Sequence, residues 1–165
     1  MSKLLNQSSL SRYDHQIITD WVEPKSRVID LGCGNGSLLK HLQQTKQVSG
    51  YGVELNPLMM DQCIDNGINV IQFNLDQGLG HFDSDSFDIV ILSLTLQSMR
   101  RPRKLLEEMM RVGKQGIVTF PNFAHWRNRW QIAVGGHMPV SDELPYKWYD
   151  TPTVSYTHLT LPTKA

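Results

Sequence analysis

The segment Asp30-Leu31-Gly32-Cys33-Gly34-Asn35-Gly36 combines one acid with three closely spaced glycines. Glycines let a backbone turn tightly and approach a ligand where a Cβ atom would clash. The residues that follow have helical periodicity, so the free N–H groups of a helix N-terminus would lie behind the turn. Glu54 comes twenty residues after Gly34, at the end of the next apolar run. A carboxylate there can accept both ribose hydroxyl protons, so we expect a site for an adenosine-containing cofactor.

The spacing of the glycines and the nearby acid favour one class of cofactor. Nicotinamide dinucleotides use G-x-G-x-x-G, whereas here the pattern is G-x-G-x-G and Ser37 stands at the third dinucleotide position. Asp30 would repel a pyrophosphate but attract a sulfonium or an ammonium group. We therefore expect S-adenosylmethionine, with a dinucleotide as the alternative. A tight turn without a ligand explains the glycines but not Asp30 and Glu54 together.

Elements that alternate along the chain must position these residues. The apolar runs predict strands at 27–31, 48–53, 69–73, 87–93 and 116–120. Helical spacing predicts helices at 14–22, 36–45 and 102–112. Another helix is predicted to begin at Asn56-Pro57 and to end at Gly67. Short connections and nearly all-apolar strands are typical of parallel strands that are covered on both faces. The predicted fold class is α/β, with a doubly wound, mostly parallel sheet.

Composition excludes several classes of protein. The chain has 165 residues, with 16 Lys plus Arg and 16 Asp plus Glu. Zero net charge argues against an electrostatic nucleic-acid or membrane partner. Cys33 and Cys63 make no disulfide framework, and the histidines lack zinc spacing, so we expect no metal site. The first residues lack a signal-peptide pattern, and no run of about 18 apolar residues occurs. We expect a cytoplasmic protein.

Several segments carry a resemblance to a known family. Val28 to Gly36 resembles the first motif of class I methyltransferases. From about Arg27 to Pro152 the chain resembles the methionine biosynthesis protein MetW family, most specifically in Phe120-Pro-Asn-Phe-Ala-His-Trp-Arg127 and in 144–152. The resemblance implies a Rossmann-like fold that binds S-adenosylmethionine. The implied cofactor-binding residues are Asp30, Gly32, Cys33, Gly34, Gly36, Glu54, Leu55, Asn74 and Leu75.

The resemblance also implies a role in making methionine, together with a homoserine O-acyltransferase. The alternative is a true S-adenosylmethionine-dependent methyltransferase that acts on an unknown acceptor. Whether the chain is an enzyme stays open, because the sequence identifies no catalytic base. Thr95 and Gln97, after the fourth predicted strand, are the candidates to face an acceptor. Family members tend to carry an acid where this chain has Asn74, whose carbonyl can still accept a hydrogen bond from adenine.

The sequence also predicts how the chain is divided. We expect a flexible arm over 1–12, an incomplete methyltransferase-like domain over 13–152, and a non-native tail over 153–165. The resemblance implies a sheet of seven strands, so the last two are expected to be missing. The fifth strand would then be an exposed edge that favours aggregation. Residues 120–150 hold three of the four tryptophans, and they are expected to form a lid, an interface or core.

Overall fold

Five apolar runs of the sequence form one parallel sheet. The computed structural model describes residues 15–120, and within them the strand order is β3-β2-β1-β4-β5. All four neighbouring pairs are parallel. The chain moves outward from β1 to β3 on one side and then returns to place β4 and β5 on the other. The prediction of a doubly wound α/β fold is confirmed, and the order reverses between β1 and β4, where such folds bind ligands.

The elements follow each other as predicted. The strands are β1 (Arg27–Leu31), β2 (Ser49–Glu54), β3 (Val70–Gln72), β4 (Phe87–Ser93) and β5 (Gly113–Thr119). The helices are α1 (15–21), α2 (Ser37–Lys46), α3 (Pro57–Asp65) and α4 (Pro102–Val112). Short 3₁₀ turns at Leu75–Gln77 and Leu96–Ser98 follow β3 and β4. The sequence did not indicate these turns, because three residues are too few to show a periodicity.

Alternate residues of the central strands are buried on opposite faces of the sheet. Val28 packs in one apolar cluster and its neighbour Ile29 in the other. Along β4, Ile89 and Ile91 belong to the first cluster, whereas Val90 and Leu92 belong to the second. The first cluster includes Ile18, Val22, Leu38, Leu39 and Leu42 from α1, α2 and the turn after α1, and the second includes Leu105, Met109 and Val112 from α4. Both faces are covered, which explains the continuously apolar strands.

Two helix boundaries show the predicted chemistry. Asn56 caps α3, since its Oδ1 accepts a hydrogen bond from the Leu58 N–H at 3.0 Å, and Pro57 occupies the first helical position. Both features satisfy or remove donors that the first turn would leave unpaired. Gly67 lies just beyond the helix with φ +76°. The left-handed backbone there reverses the chain towards β3.

The start of β5 differs from the prediction. The strand begins at Gly113 rather than Gly116, because Gly113 already pairs with Phe87 of β4. The residues Gly113-Lys-Gln lack the apolar character that marks a strand in sequence. Pairing with β4 therefore decides the boundary. A Cβ atom at Gly113 would overlap the Val90 side chain, so a glycine lets α4 pass directly into β5.

Some predictions fall outside residues 15–120. They concern the arm at 1–12, the tail at 153–165, the domain's residues 13–14 and 121–152, and the two missing strands. In the part that the structure describes, the longest helix has 11 residues. No helix there is long and apolar enough to cross a membrane.

Replacing Leu92 by alanine tests the two-faced core. Leu92 is 0% exposed, so removing three buried carbons should lower the free energy of unfolding by about 2–5 kcal/mol. Leu58→Ala is the matched control, because that leucine is 69% exposed on α3 and its loss should cost about 0.5 kcal/mol or less. Urea unfolding of both variants measures the difference. Equal losses would contradict the assignment of Leu92 to the core.

Candidate cofactor-binding site

The three glycines of the predicted loop follow β1 at the carboxyl edge of the sheet. Gly32, Gly34 and Gly36 have φ values of +76°, +56° and +73°. At Gly32, a Cβ atom would lie 2.5 Å from Thr95 Oγ1, so the loop can pass the segment after β4 only without a side chain. At Gly34, no heavy atom lies within 4 Å of the Cβ position. Glycine is needed there for the left-handed backbone, and it leaves open space beside the loop.

Glu54 lies beside this loop at the end of β2. Its Oε2 accepts a hydrogen bond from the Gly34 N–H at 2.9 Å. Its Oε1 accepts from the N–H groups of Leu55, at 2.7 Å, and Asn56, at 2.9 Å. The carboxylate therefore joins the β1 loop to the start of α3. Two carboxylate oxygens offer about four acceptor positions, so Oε2 keeps one for a further donor.

Asp30 is a buried acid at the base of the same loop. It is 2% exposed, and its Oδ1 has no hydrogen-bond partner among residues 15–120. Burial, and then the charge of Glu54, raise the pKa of Asp30 from 3.8 to about 7. Near neutral pH the group is therefore partly ionised in a place that water does not stabilise. A cation beside it would relieve that cost.

Hydrogen bonds with β2 and α3 hold the glycine loop in place. The N–H groups of Gly32 and Cys33 both donate to Val53 O, at 2.7 and 3.1 Å. Cys63 of α3 donates its S–H to Gly34 O at 3.0 Å. Gly34 is thus held at its N–H by Glu54 and at its carbonyl by Cys63. Its position on the helix after Pro57 predicts that Cys63 is in the core or partly buried, and it is 0% exposed, but no spacing signal marked its contact with the loop.

The residues after β3 are arranged in two different ways. Asn74 follows the strand at the same edge as Glu54, because Phe73 N–H donates to Glu54 O at 3.2 Å. The Asn74 Oδ1 accepts from Asp76 N–H at 3.0 Å and so caps a 3₁₀ turn. Leu75 is 7% exposed and packs in the second core cluster, so only its backbone is free to meet a ligand. Leu55, in contrast, follows β2 directly after Glu54, and it is 56% exposed.

The turn after β4 forms the wall that faces Gly32. Leu94 has φ +50°, which is rare for a residue with a side chain and is a feature concentrated at functional sites. Thr95 Oγ1 donates to Ser93 O at 2.8 Å, and Gln97 Nε2 donates to Leu94 O. The polar groups of Thr95 and Gln97 thus support the shape of this turn. The sequence did not indicate the strained backbone at Leu94, because it depends on contacts with β5.

The comparison with protein families matches most of the chain. The model of the family "Methionine biosynthesis protein MetW" matches residues 12–161. The chain is 36% identical over 148 residues to the bifunctional methionine biosynthesis protein MetXA/MetW of Rhodopirellula baltica. That alignment covers 84% of this chain and 24% of the relative. The chain therefore spans about a quarter of the length of this relative.

Solved structures share the fold. An S-adenosylmethionine-dependent methyltransferase from Archaeoglobus fulgidus is similar with a TM-score of 0.65 at 21% identity, over 82% of this chain and 63% of its own. The YcgJ protein from Bacillus subtilis gives a TM-score of 0.57 at 22% identity, over 65% and 50%. These similarities confirm the predicted class I methyltransferase fold. The family match over residues 12–161 shows that the chain belongs to the methionine biosynthesis protein MetW family.

Proposed function

We propose that this chain binds S-adenosylmethionine between Asp30, the Gly32–Gly36 loop and Glu54, and that it acts with a homoserine O-acyltransferase in methionine biosynthesis. One observation carries the proposal. A buried acid whose Oδ1 has no partner within the described residues 15–120 lies at the base of a glycine loop that Glu54 already holds in place. This arrangement suits a ligand that is cationic at one end and carries ribose hydroxyls at the other.

The adenosine part is assigned to the β2 and β3 side of the loop. Glu54 Oε2 has one acceptor position left after its bond with Gly34, and a ribose hydroxyl would donate to it. The exposed side chain of Leu55 follows directly and offers an apolar surface for adenine. Asn74, at the end of β3, is the candidate to meet the adenine amino group. The backbone of Leu75 lies next to it.

The cationic part is assigned to the Asp30 side. Burial removes Asp30 from water, so the attraction between its carboxylate and a cation is stronger than at the surface. A dinucleotide would instead bring its pyrophosphate towards Asp30, and that contact is repulsive. The charge pattern therefore supports a sulfonium or ammonium compound. Once bound, S-adenosylmethionine supplies an activated methyl group, while these residues orient the molecule.

The acyltransferase partner is supported by the relative from Rhodopirellula baltica. Its name places MetXA and MetW in one polypeptide, and a covalent link keeps two partners at a high effective concentration. We infer that the same two functions meet here. Methyl transfer to an acceptor is the alternative, and the turn that holds Thr95 and Gln97 would face that acceptor.

Asp30 should make the stability of the ligand-free protein depend on pH. Because its folded pKa of about 7 exceeds the usual 3.8, the folded state keeps a proton that the unfolded chain releases. The stability that this proton contributes is complete below about pH 4 and is lost as the pH rises through about 7. The Asp30→Asn variant has no such loss. The difference between its free energy of unfolding and that of the wild type should therefore rise by up to roughly 4 kcal/mol from about pH 4 to about pH 8. Urea unfolding across this range measures it, and a difference independent of pH would contradict the proposed environment.

Calorimetric titration with S-adenosylmethionine tests the cofactor assignment. Glu54→Ala should weaken binding about 10–150-fold, since a charge-assisted hydrogen bond contributes about 1.5–3 kcal/mol. Glu23→Ala is the matched control, because Glu23 is an exposed acid before β1, at the other edge of the sheet. The Glu23→Ala variant should bind S-adenosylmethionine with the same affinity as the wild type. Unchanged binding by Glu54→Ala would remove Glu54 from the site, and no binding by the wild type would overturn the proposal.

The partner is tested by co-expression with the homoserine O-acyltransferase of the same source. We expect the two chains to purify together, and acyl transfer to homoserine to increase when this chain is present. Glu54→Ala shows in the same assay whether the increase needs the cofactor. If acyl transfer does not change and the chain instead releases S-adenosylhomocysteine with a defined acceptor, the methyltransferase alternative holds.

A further inference from the structure

Two thiols meet beneath the glycine loop. Cys33 Sγ and Cys63 Sγ lie 3.7 Å apart, although 30 residues separate them in the chain. A disulfide has an S–S distance of about 2.05 Å, so closure requires the sulfurs to approach by about 1.6 Å. The chain has no other cysteine. Any disulfide within one molecule must therefore join this pair.

Two glycines make the space that the thiols occupy. A Cβ atom at Gly52 of β2 would overlap Cys33 Sγ. A Cβ atom at Gly36 would lie 3.1 Å from Cys63 Sγ. The sulfurs thus lie between the loop, β2 and α3, where larger residues at these positions would displace them. The packing around the pair depends on sulfur atoms at both positions.

In the reduced form, Cys63 positions the loop. Its S–H is the donor that holds Gly34 O at 3.0 Å, opposite the bond from Gly34 N–H to Glu54. Burial, supported by the charges of Asp30 and Glu54, raises the pKa of both thiols. Cys63 therefore keeps its proton near neutral pH, and the donor is present whenever the pair is reduced.

We propose that Cys33 and Cys63 form a modification site, where a hydroperoxide produces a disulfide that withdraws the thiol from Gly34 and weakens cofactor binding. The effect on binding rests on the proposed function, whereas formation of the disulfide does not. The contact with Gly34 O requires an S–H group, and a disulfide has none. Closure also draws Cys33, a residue of the loop itself, towards α3.

The chemistry balances with hydrogen peroxide as the oxidant. Cys33 reacts first, through the small fraction of it that is present as thiolate, because it is 9% exposed and Cys63 is 0% exposed. Its sulfur attacks one peroxide oxygen, the O–O bond breaks, and a sulfenic acid and one water form. Cys63 Sγ then displaces the hydroxyl group as a second water and forms the S–S bond. Two thiols and one peroxide thus become one disulfide and two waters, and two electrons pass from sulfur to oxygen.

The experiment treats the full chain with hydrogen peroxide and measures its mass after alkylation under denaturing conditions. The reduced protein should take up two alkyl groups, whereas the oxidised protein should take up none and lose two hydrogen atoms. Calorimetry should show at least tenfold weaker binding of S-adenosylmethionine to the oxidised protein, with recovery after dithiothreitol. Two alkyl groups after peroxide, or a disulfide with unchanged affinity, would overturn the proposal.

Serine and alanine variants separate the disulfide from other effects. Cys63→Ser keeps a donor for Gly34 O but cannot form the disulfide, so its affinity for S-adenosylmethionine should be the same before and after peroxide. Cys63→Ala lacks that donor and should bind more weakly without any oxidant. Cys33→Ser keeps Cys63 and every methionine of the wild type, so a response of this variant to peroxide would come from oxidation other than the disulfide. If the reduced wild type does not bind S-adenosylmethionine, the proposed function fails with the effect on binding, while the mass measurement still decides the disulfide.

Discussion

The carboxylate of Glu54 accepts three backbone hydrogen bonds, and the shape of the site depends on them. One comes from Gly34 in the loop after β1, and two come from Leu55 and Asn56 at the start of α3. These donors belong to two successive crossover connections, which parallel pairing of β1 with β2 brings to the same edge. Cys63 holds Gly34 from the opposite side. Because Gly34 is fixed at both polar groups, the loop is arranged before any ligand arrives, and binding costs less ordering entropy.

The buried acid Asp30 lowers the stability of the ligand-free protein. Folding removes its carboxyl group from water, no residue in the described part of the chain gives Oδ1 a partner, and the nearby Glu54 adds repulsion. Such a group lowers the stability of the empty protein once it ionises. A cation beside Asp30 would offset this cost. A costly acid beside an open glycine loop is the physical reason to propose a cationic ligand for this site.

Membership of the MetW family and the geometry of the site point to the same function at different levels. The family match shows a member of the methionine biosynthesis protein MetW family, and the fold is that of class I methyltransferases. Around the turn after β4, Thr95 and Gln97 use their polar groups to hold the backbone. The strongest features of the site therefore support the proposed cofactor binding rather than catalysis. A chain that binds a cofactor and docks on an acyltransferase accounts for them without a catalytic base.

Local chemistry was enough to predict the strands, the caps and the glycine loop, because apolar periodicity, Asn56-Pro57 and Gly32–Gly36 act within a few residues. It did not predict that β5 begins at Gly113, where pairing with Phe87 overrides a polar stretch, nor that the Leu75 side chain is buried away from the edge. The contact of Cys63 with the loop also escaped it, since 30 residues separate the two thiols. By itself, the sequence determined the candidate binding groups and the order of the elements. Only the tertiary structure decided which groups meet, because the distances between them depend on how β1, β2 and α3 pack together.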